Sequence, residues 1–172
     1  HEYGVLRASF RPQAEMAALR AYLRQRERLL DYAAMHIQHM QKALMQMNLQ
    51  LHHVVSDITG ATGMSIIRAI VAGERDPNVL VLHRDRRCHA SVETVCQALI
   101  GNYREEHIFA LTQAVELYDV YQAKRLICDA RIEAILKQLK KNAAPPKGKL
   151  PPARRSARQS NEPEFEVREA LH

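Results

Sequence analysis

Carboxylates, imidazoles and thiols are the side chains here whose spacing could support catalysis or metal binding. Asp57 lies in the run SDITGATG, where a carboxylate before Thr-Gly can act as a catalytic acid or as a turn residue. Metal-dependent phosphodiester cleavage needs paired acids, and the sequence places no second carboxylate beside Asp57, so the turn role is the better reading. His36 and His39 stand three apart, and His52 and His53 adjoin. A helical His pair can ligate a metal, but no Cys or carboxylate completes a set at ligating spacing. These histidines read as surface groups or as groups facing nucleic acid. Cys88, Cys96 and Cys128 match no zinc spacing and read as reduced thiols. No catalytic residue and no metal ligand is assigned.

Two further patterns point toward polyanions. Gly60 and Gly63 precede a helix and would expose backbone N–H groups able to hold a phosphate, although a plain helix-start turn has the same pattern. Tyr103, Tyr118 and Tyr121 could stack on bases, but the heptad spacing of Tyr118 and Tyr121 favours a core role. The basic residues are the stronger signal. The formal net charge is +6, which suits a polyanionic partner. Lys137, Lys140, Lys141, Lys147, Lys149, Arg154, Arg155 and Arg158 accumulate in a stretch with no Asp or Glu between Glu133 and Glu162. Lys140, Lys141, Lys147, Lys149, Arg154, Arg155 and Arg158 are therefore the candidate nucleic-acid-binding residues, acting with little sequence preference. A solvated linker would have the same composition.

The elements that must carry these residues are helices. From Pro12 to about His53 no Pro or Gly intervenes, and good helix formers dominate. Met16, Leu19, Leu23, Leu30, Ala33, Ile37, Met40, Leu44, Met47, Leu51 and Val54 step by threes and fours, interrupted only by Arg26. That is a coiled-coil seam. A second long helix is predicted from about Arg104 to Lys141, with Leu111, Ala114, Tyr118, Tyr121, Cys128, Ile132, Ile135 and Leu139 in its seam and Arg125 as its interruption. A polar residue at such a position sets register or partner choice. Flanking Leu29, Leu49, Leu117 and Leu126 widen the apolar surface beyond a two-helix contact, which predicts a homo-oligomer.

Between the long helices, short ones are predicted at Met64–Ala72, from Asp76-Pro77 through Leu82, and from Ser91 to Gly101. No strand is expected. The predicted fold is all-α: a long antiparallel coiled-coil helical hairpin over 12–141 with a small helical insert, 56–103, at its tip. Residues 142–163, Pro-rich and basic, read as a flexible linker, and 164–172 as the start of another element.

Charged residues at 26% and apolar residues at 47% exclude a disordered tail. No apolar run approaches the roughly 18 residues of a membrane span, and no signal peptide opens the chain, so no membrane and a cytoplasmic location are expected. The opening HEYGVLRASF carries no start signal, which predicts a piece of a longer chain.

Three stretches resemble one family. HEYGVLRASFRP, HIQHMQKALMQMNLQLHHVVSDITGATGMSIIRAIVAGERDP and ALIGNYREEHIFALTQAVELYDVYQ are similar to the centre of the insertion-sequence one-hundred-ten transposases, the DEDD type that includes pilin-inversion recombinases. The resemblance runs from His1 to Lys141 and returns at EPEFEVREALH. It implies a bacterial transposase with an upstream RuvC-like nuclease domain, whose four acids hold Mg²⁺, and a downstream domain with a catalytic Ser. Residues 1–11 would end the first and 164–172 would begin the second. The acids would precede this chain and the Ser follow it, so the resemblance assigns no catalytic residue or cofactor here and implies a part inactive alone. It implies DNA and a guide RNA as partners, the middle segment serving assembly and nucleic-acid binding. A free-standing coiled-coil scaffold or regulator, or an inert truncated remnant, stands as the alternative.

Overall fold

A computed structural model describes residues 14–142 and 161–167 of the chain. All regular elements among them are helical, with no strand, so the chain is all-α over the described residues. The helices are α1 (Ala14–Gln46), α2 (Leu51–Val54), α3 (Ala61–Val71), α4 (Pro77–Leu80), α5 (Val92–Ala98) and α6 (Glu105–Asn142), with a 3₁₀ turn at Val81–His83 after α4. None is long and apolar enough to cross a membrane. The chain divides into two compact units. One comprises residues 30–123; the other draws on residues up to 29 and from 124 onward.

The 30–123 unit holds the larger core. Met40, Leu44 and Met47 are fully buried with Ile66, Ile67 and Ile70 of α3, Val95 of α5 and Leu111 of α6. Within this unit α6 runs antiparallel to α1: Tyr121 meets Tyr32 and His36, while the Asn102 N–H, just before α6, donates to the Met47 carbonyl at 2.8 Å.

The first helix is shorter than its apolar pattern predicts. It ends at Gln46 rather than running to Val54, because Asn48 takes a left-handed φ of 57°. The Leu49 N–H then donates to the Leu44 carbonyl and the Asn48 N–H to the Met45 carbonyl, both at 2.9 Å. That pairing is a Schellman end with Asn in the position usually held by Gly, and Leu49 packs beside Leu44 in the core. Met47 and Leu51 are buried as the seam predicts, but from irregular backbone and a new short helix. The pattern continued across a break because the same core lies beneath both sides of it.

Glycine decides two close approaches. A Cβ on Gly101 would overlap the Met47 carbonyl oxygen and the Leu49 side chain, so only Gly lets this loop close over the end of α1. A Cβ on Gly63 would overlap the Ile58 backbone. The helix expected from Met64 accordingly starts three residues earlier, at Ala61, with Gly63 buried in its first turn. Gly73, at φ 107°, ends α3 by a second Schellman pairing, with Glu74 N–H on the Ala69 carbonyl at 3.0 Å and Gly73 N–H on the Ile70 carbonyl at 3.1 Å.

The predicted caps at Asp76 and Ser91 both form, the side chains accepting from Asn78 N–H at 2.9 Å and Thr94 N–H at 3.1 Å. The helix after Asp76 is tighter than expected: it gives way to the 3₁₀ turn after Leu80.

The other unit has a smaller core of Leu19 from α1 with Ile132 and Leu136 from α6, against which Tyr22, Ile135, Leu139 and Phe165 pack. Here too α6 runs antiparallel to α1, since Arg26 meets Asp129 while the earlier Leu19 meets the later Ile132 and Leu136. Two seam positions, Met16 and Leu23, are exposed instead. Two residues expected to widen the surface, Leu29 and Leu49, are buried, so they contribute to the intrachain core and not to an outer face. Leu117 and Leu126 are exposed as that reading requires.

Candidate nucleic-acid interface

Of the seven basic residues singled out from the sequence, Lys140 and Lys141 lie in the last turn of α6 and are exposed. Ammonium groups there complement the negative end of the helix dipole. Lys137, one turn earlier, pairs with Glu133 at 2.7 Å. Lys147, Lys149, Arg154, Arg155 and Arg158 lie outside the described residues.

A second basic feature escaped the sequence reading. Arg20, Arg24 and Arg28 recur every four residues on α1, which places them on one ridge of the helix, and all three are exposed. Arg28 is steadied by Gln25 at 2.7 Å. The signal is present in the sequence as a spacing of four, on a ridge that lies off the apolar seam. Lys124 and Arg131 of α6 are exposed in the same unit.

In the 30–123 unit, α1 and α6 frame a cleft of about 400 Å³ lined by His36, His39, Lys42, Gln46, Gln113 and Leu117, with alanines between them and no acid. The His36 ring stacks on Tyr121, centroids 5.4 Å apart and planes 17° from parallel, and meets the edge of His39 at 5.5 Å. Its Nδ1 is buried without a hydrogen-bond partner among the described residues. Burial lowers the His36 pKa from 6.5, and the neighbouring His39 lowers it further. His36 is thus half-buried rather than a plain surface group, while His39 is exposed.

The sign of the pH effect follows. Folding disfavours protonated His36, so the unfolded chain takes up the proton first. Stability falls as pH drops below 6.5 toward the lower folded-state value, and is flat above that window. Urea unfolding of the His36→Phe variant should show a smaller loss of stability from pH 7 to pH 5 than the parent; an identical loss would assign the effect to other groups.

The two seam arginines share one partner. Arg26 Nε donates to Asp129 Oδ1 at 2.5 Å, and Arg125 Nη1 donates to Asp129 Oδ2 at 3.2 Å. Asp129 is 1% exposed and Arg125 6%, so both are buried, and Arg26 is partly buried beside them. The interruptions of the two heptad seams therefore answer each other through a carboxylate that the seam pattern did not single out. Both arginines also reach the segment 161–167, Arg26 donating to the Asn161 carbonyl at 2.7 Å and Arg125 to the Glu162 carbonyl at 3.2 Å.

No protein-family model, curated protein or solved structure matches the chain.

The remaining sequence candidates resolve by geometry. Asp57 Oδ1 accepts from both the N–H and the hydroxyl of Thr59 at 2.8 Å, the Asx turn expected of it. A second carboxylate does share its surroundings. Asp57 and Asp85 both line a cleft of about 460 Å³ with His53, Ser56, Thr62 and Arg87. Asp85 is 28 residues away in sequence, beyond the reach of any local spacing rule; its carboxyl is held below the usual range mainly by the hydrogen bond from Arg87, at 2.9 Å. No group of three or more ligating side chains that could hold a metal occurs among the described residues. The helix-start glycines serve packing, as Gly63 shows.

Tyr103 is a structural residue, not a stacking platform. Its hydroxyl donates to the Leu99 carbonyl at 2.6 Å, Arg75 covers its ring at 5.3 Å, and burial pushes its pKa up to about 12. Tyr118 packs half-buried against the main core, and burial raises its pKa too. Tyr121 is committed to Tyr32 and His36. Cys88 and Cys96 are half-buried and Cys128 is buried, all three as free thiols, and burial raises the Cys128 pKa.

Proposed function

We propose that the chain is the helical middle part of a DEDD-type insertion-sequence transposase, and that it serves assembly of the complex and binding of nucleic acid, guide RNA and DNA. The observation that carries the binding half is the arginine ridge Arg20–Arg24–Arg28, three exposed guanidiniums at four-residue spacing on a rigid helix. Guanidinium forks match phosphate geometry, and a row of them one helical turn apart suits a repeating polyanion better than a small ligand. The acid-free cleft at His36, His39 and Lys42 supports the same reading. The residues that resemble the transposase centre supply the identity; helices and charge supply only the binding chemistry.

The test is a filter-binding titration of the chain with a structured RNA and a duplex DNA at 50 mM salt. The Arg20→Ala, Arg24→Ala, Arg28→Ala triple variant should lose about tenfold or more in affinity for both, since each phosphate contact contributes to a cumulative electrostatic term. Undiminished binding would remove the ridge from the interface.

The assembly half of the proposal is a long antiparallel coiled-coil hairpin that pairs with a second copy. Exposed Phe109, Leu117 and Val120 support it, since steps of eight and three residues put them on one face of α6 in the 30–123 unit. Sedimentation at tens of micromolar should report a dimer or larger species, and Leu117→Glu with Val120→Glu should return it to monomer. A parent that sediments as a monomer refutes this half and leaves the binding half standing.

A further inference from the structure

The unit built from residues up to 29 and from 124 onward gathers two arginines around one buried carboxylate. Arg26 and Arg125, with side chains 12% and 8% exposed, share the single carboxylate of Asp129. Each guanidinium carries five donors and one charge, and Asp129 answers one oxygen to each. Such a site is suited to further acceptors and to negative charge. The segment 161–167 supplies them. The carbonyls of Asn161 and Glu162 accept from Arg26 and Arg125, and the Glu164 carboxylate lies 3.6 Å from Arg125 Nη2. Beside this polar contact Phe165 packs against the apolar cluster of Leu19, Ile132 and Leu136.

We propose that this groove is a recognition site for a short acidic peptide with a Glu-Pro-Glu-Phe core, and that Asn161–Val167 is its tethered, exchangeable occupant. The contacts are of the kind any peptide of that pattern can make. Two are to main-chain carbonyls and fix only the path of the backbone. Pro163 brings no N–H to a groove already rich in donors, and it biases Glu162 before it toward extended backbone. Selectivity rests on two side chains, the Glu164 charge against Arg125 and the Phe165 ring against the apolar cluster. Glu164 is half exposed, and residues 161–166 form turns and bends rather than a helix. The groove is assembled by α1 and α6 themselves, so its chemistry persists when the segment leaves. It is independent of whether the chain binds nucleic acid.

Covalent attachment gives the native segment an effective concentration on the order of millimolar, so a free peptide competes poorly against it. Weakening the segment should therefore open the groove. The experiment uses the full chain and a fluorescein-labelled peptide of sequence NEPEFEV, read by anisotropy at low salt. The Glu164→Gln, Phe165→Ala double variant, altered only in the occupant, should bind the peptide at least tenfold more tightly than the parent chain. A peptide carrying the same two changes should bind neither. Equal affinity of parent and double variant, equal binding of the altered peptide, or no binding to the double variant at millimolar peptide would each overturn the proposal. Displacement of bound peptide by inorganic phosphate but not by excess unlabelled NEPEFEV would assign the two arginines to phosphate and overturn it as well.

Discussion

Asp129→Ala is expected to destabilise the unit that contains it by about 3–5 kcal/mol, the usual cost of removing one partner from a buried ion cluster. The change strips the shared acceptor from two arginines at once. Arg26 and Arg125 would lose the carboxylate they share, while the carbonyls of Asn161 and Glu162 and the rim carboxylate of Glu164 stay in reach. Two like charges in a poorly hydrated site repel, and the Arg26 and Arg125 side chains are only 12% and 8% exposed. Asp129→Asn tests how much of this is charge, because it keeps the volume and one acceptor oxygen. It should cost less than the alanine, yet clearly more than a surface substitution. Removing the whole cluster tests the sign of the net contribution. With Arg26→Met, Asp129→Leu and Arg125→Met together, stability should recover most of the loss, because a buried ion cluster replaced by apolar groups of similar volume is often neutral or better. Urea unfolding followed by circular dichroism reads all three variants. A loss below 1 kcal/mol for Asp129→Ala would show that the cluster is hydrated and carries little.

This cluster also marks the boundary of what could be read from the sequence. The all-α class was legible because it depends on short-range rules: helix formers without breakers over long windows, three-four apolar stepping, and caps at Asp76 and Ser91 that act within three residues. The polar interruptions Arg26 and Arg125 were legible as anomalies, but their common partner was not. Asp129 follows Arg125 by four residues and on sequence grounds is an ordinary helix-surface acid; only the antiparallel run of α1 past α6 in this unit brings Arg26 to it across 103 positions. The end of α1 failed for a different reason. Asn48 tolerates left-handed backbone, and the residues beyond it stay apolar because they fold back onto the same core, so the periodicity gave no sign of the break. Leu29 and Leu49 were misplaced because heptad bookkeeping treats every residue off the seam as outward, whereas these two face neighbours that the seam does not describe. At the candidate interface, Lys140 and Lys141 stood out in an acid-free tract. The arginine ridge was hidden because Glu27 lies between its members and Asp31 follows them, and charge summed along a chain does not resolve the faces of a helix.

Affinity for nucleic acid is expected to fall by roughly a thousand-fold between 50 and 200 mM salt if about six phosphates are neutralised, because each contact releases condensed counterions and the logarithms scale linearly. The net charge of +6 sets the scale of that number, but not its location. Two groups of cations can share it: the α1 ridge, held on a rigid helix, and the tract Lys147, Lys149, Arg154, Arg155 and Arg158, which lies outside the described residues. Salt slopes separate them, since a contact that is removed lowers the slope by about 0.9 per phosphate on duplex DNA, whatever the absolute affinity. Replacing the five tract residues by Ala should flatten the slope while leaving helical content intact, because none of them belongs to either heptad seam of the sequence. Replacing the ridge should flatten it too, and the combined variant should approach the sum of the two reductions where the two groups of cations bind independently. Slopes taken on RNA and DNA in parallel add one more discrimination. Single-stranded RNA carries less condensed counterion, so the same contacts give a shallower line, near 0.7 per phosphate. A slope unchanged by both sets of substitutions would refute the electrostatic account of binding. A slope lost entirely with the tract alone would move the interface off α1 and onto the residues that follow α6.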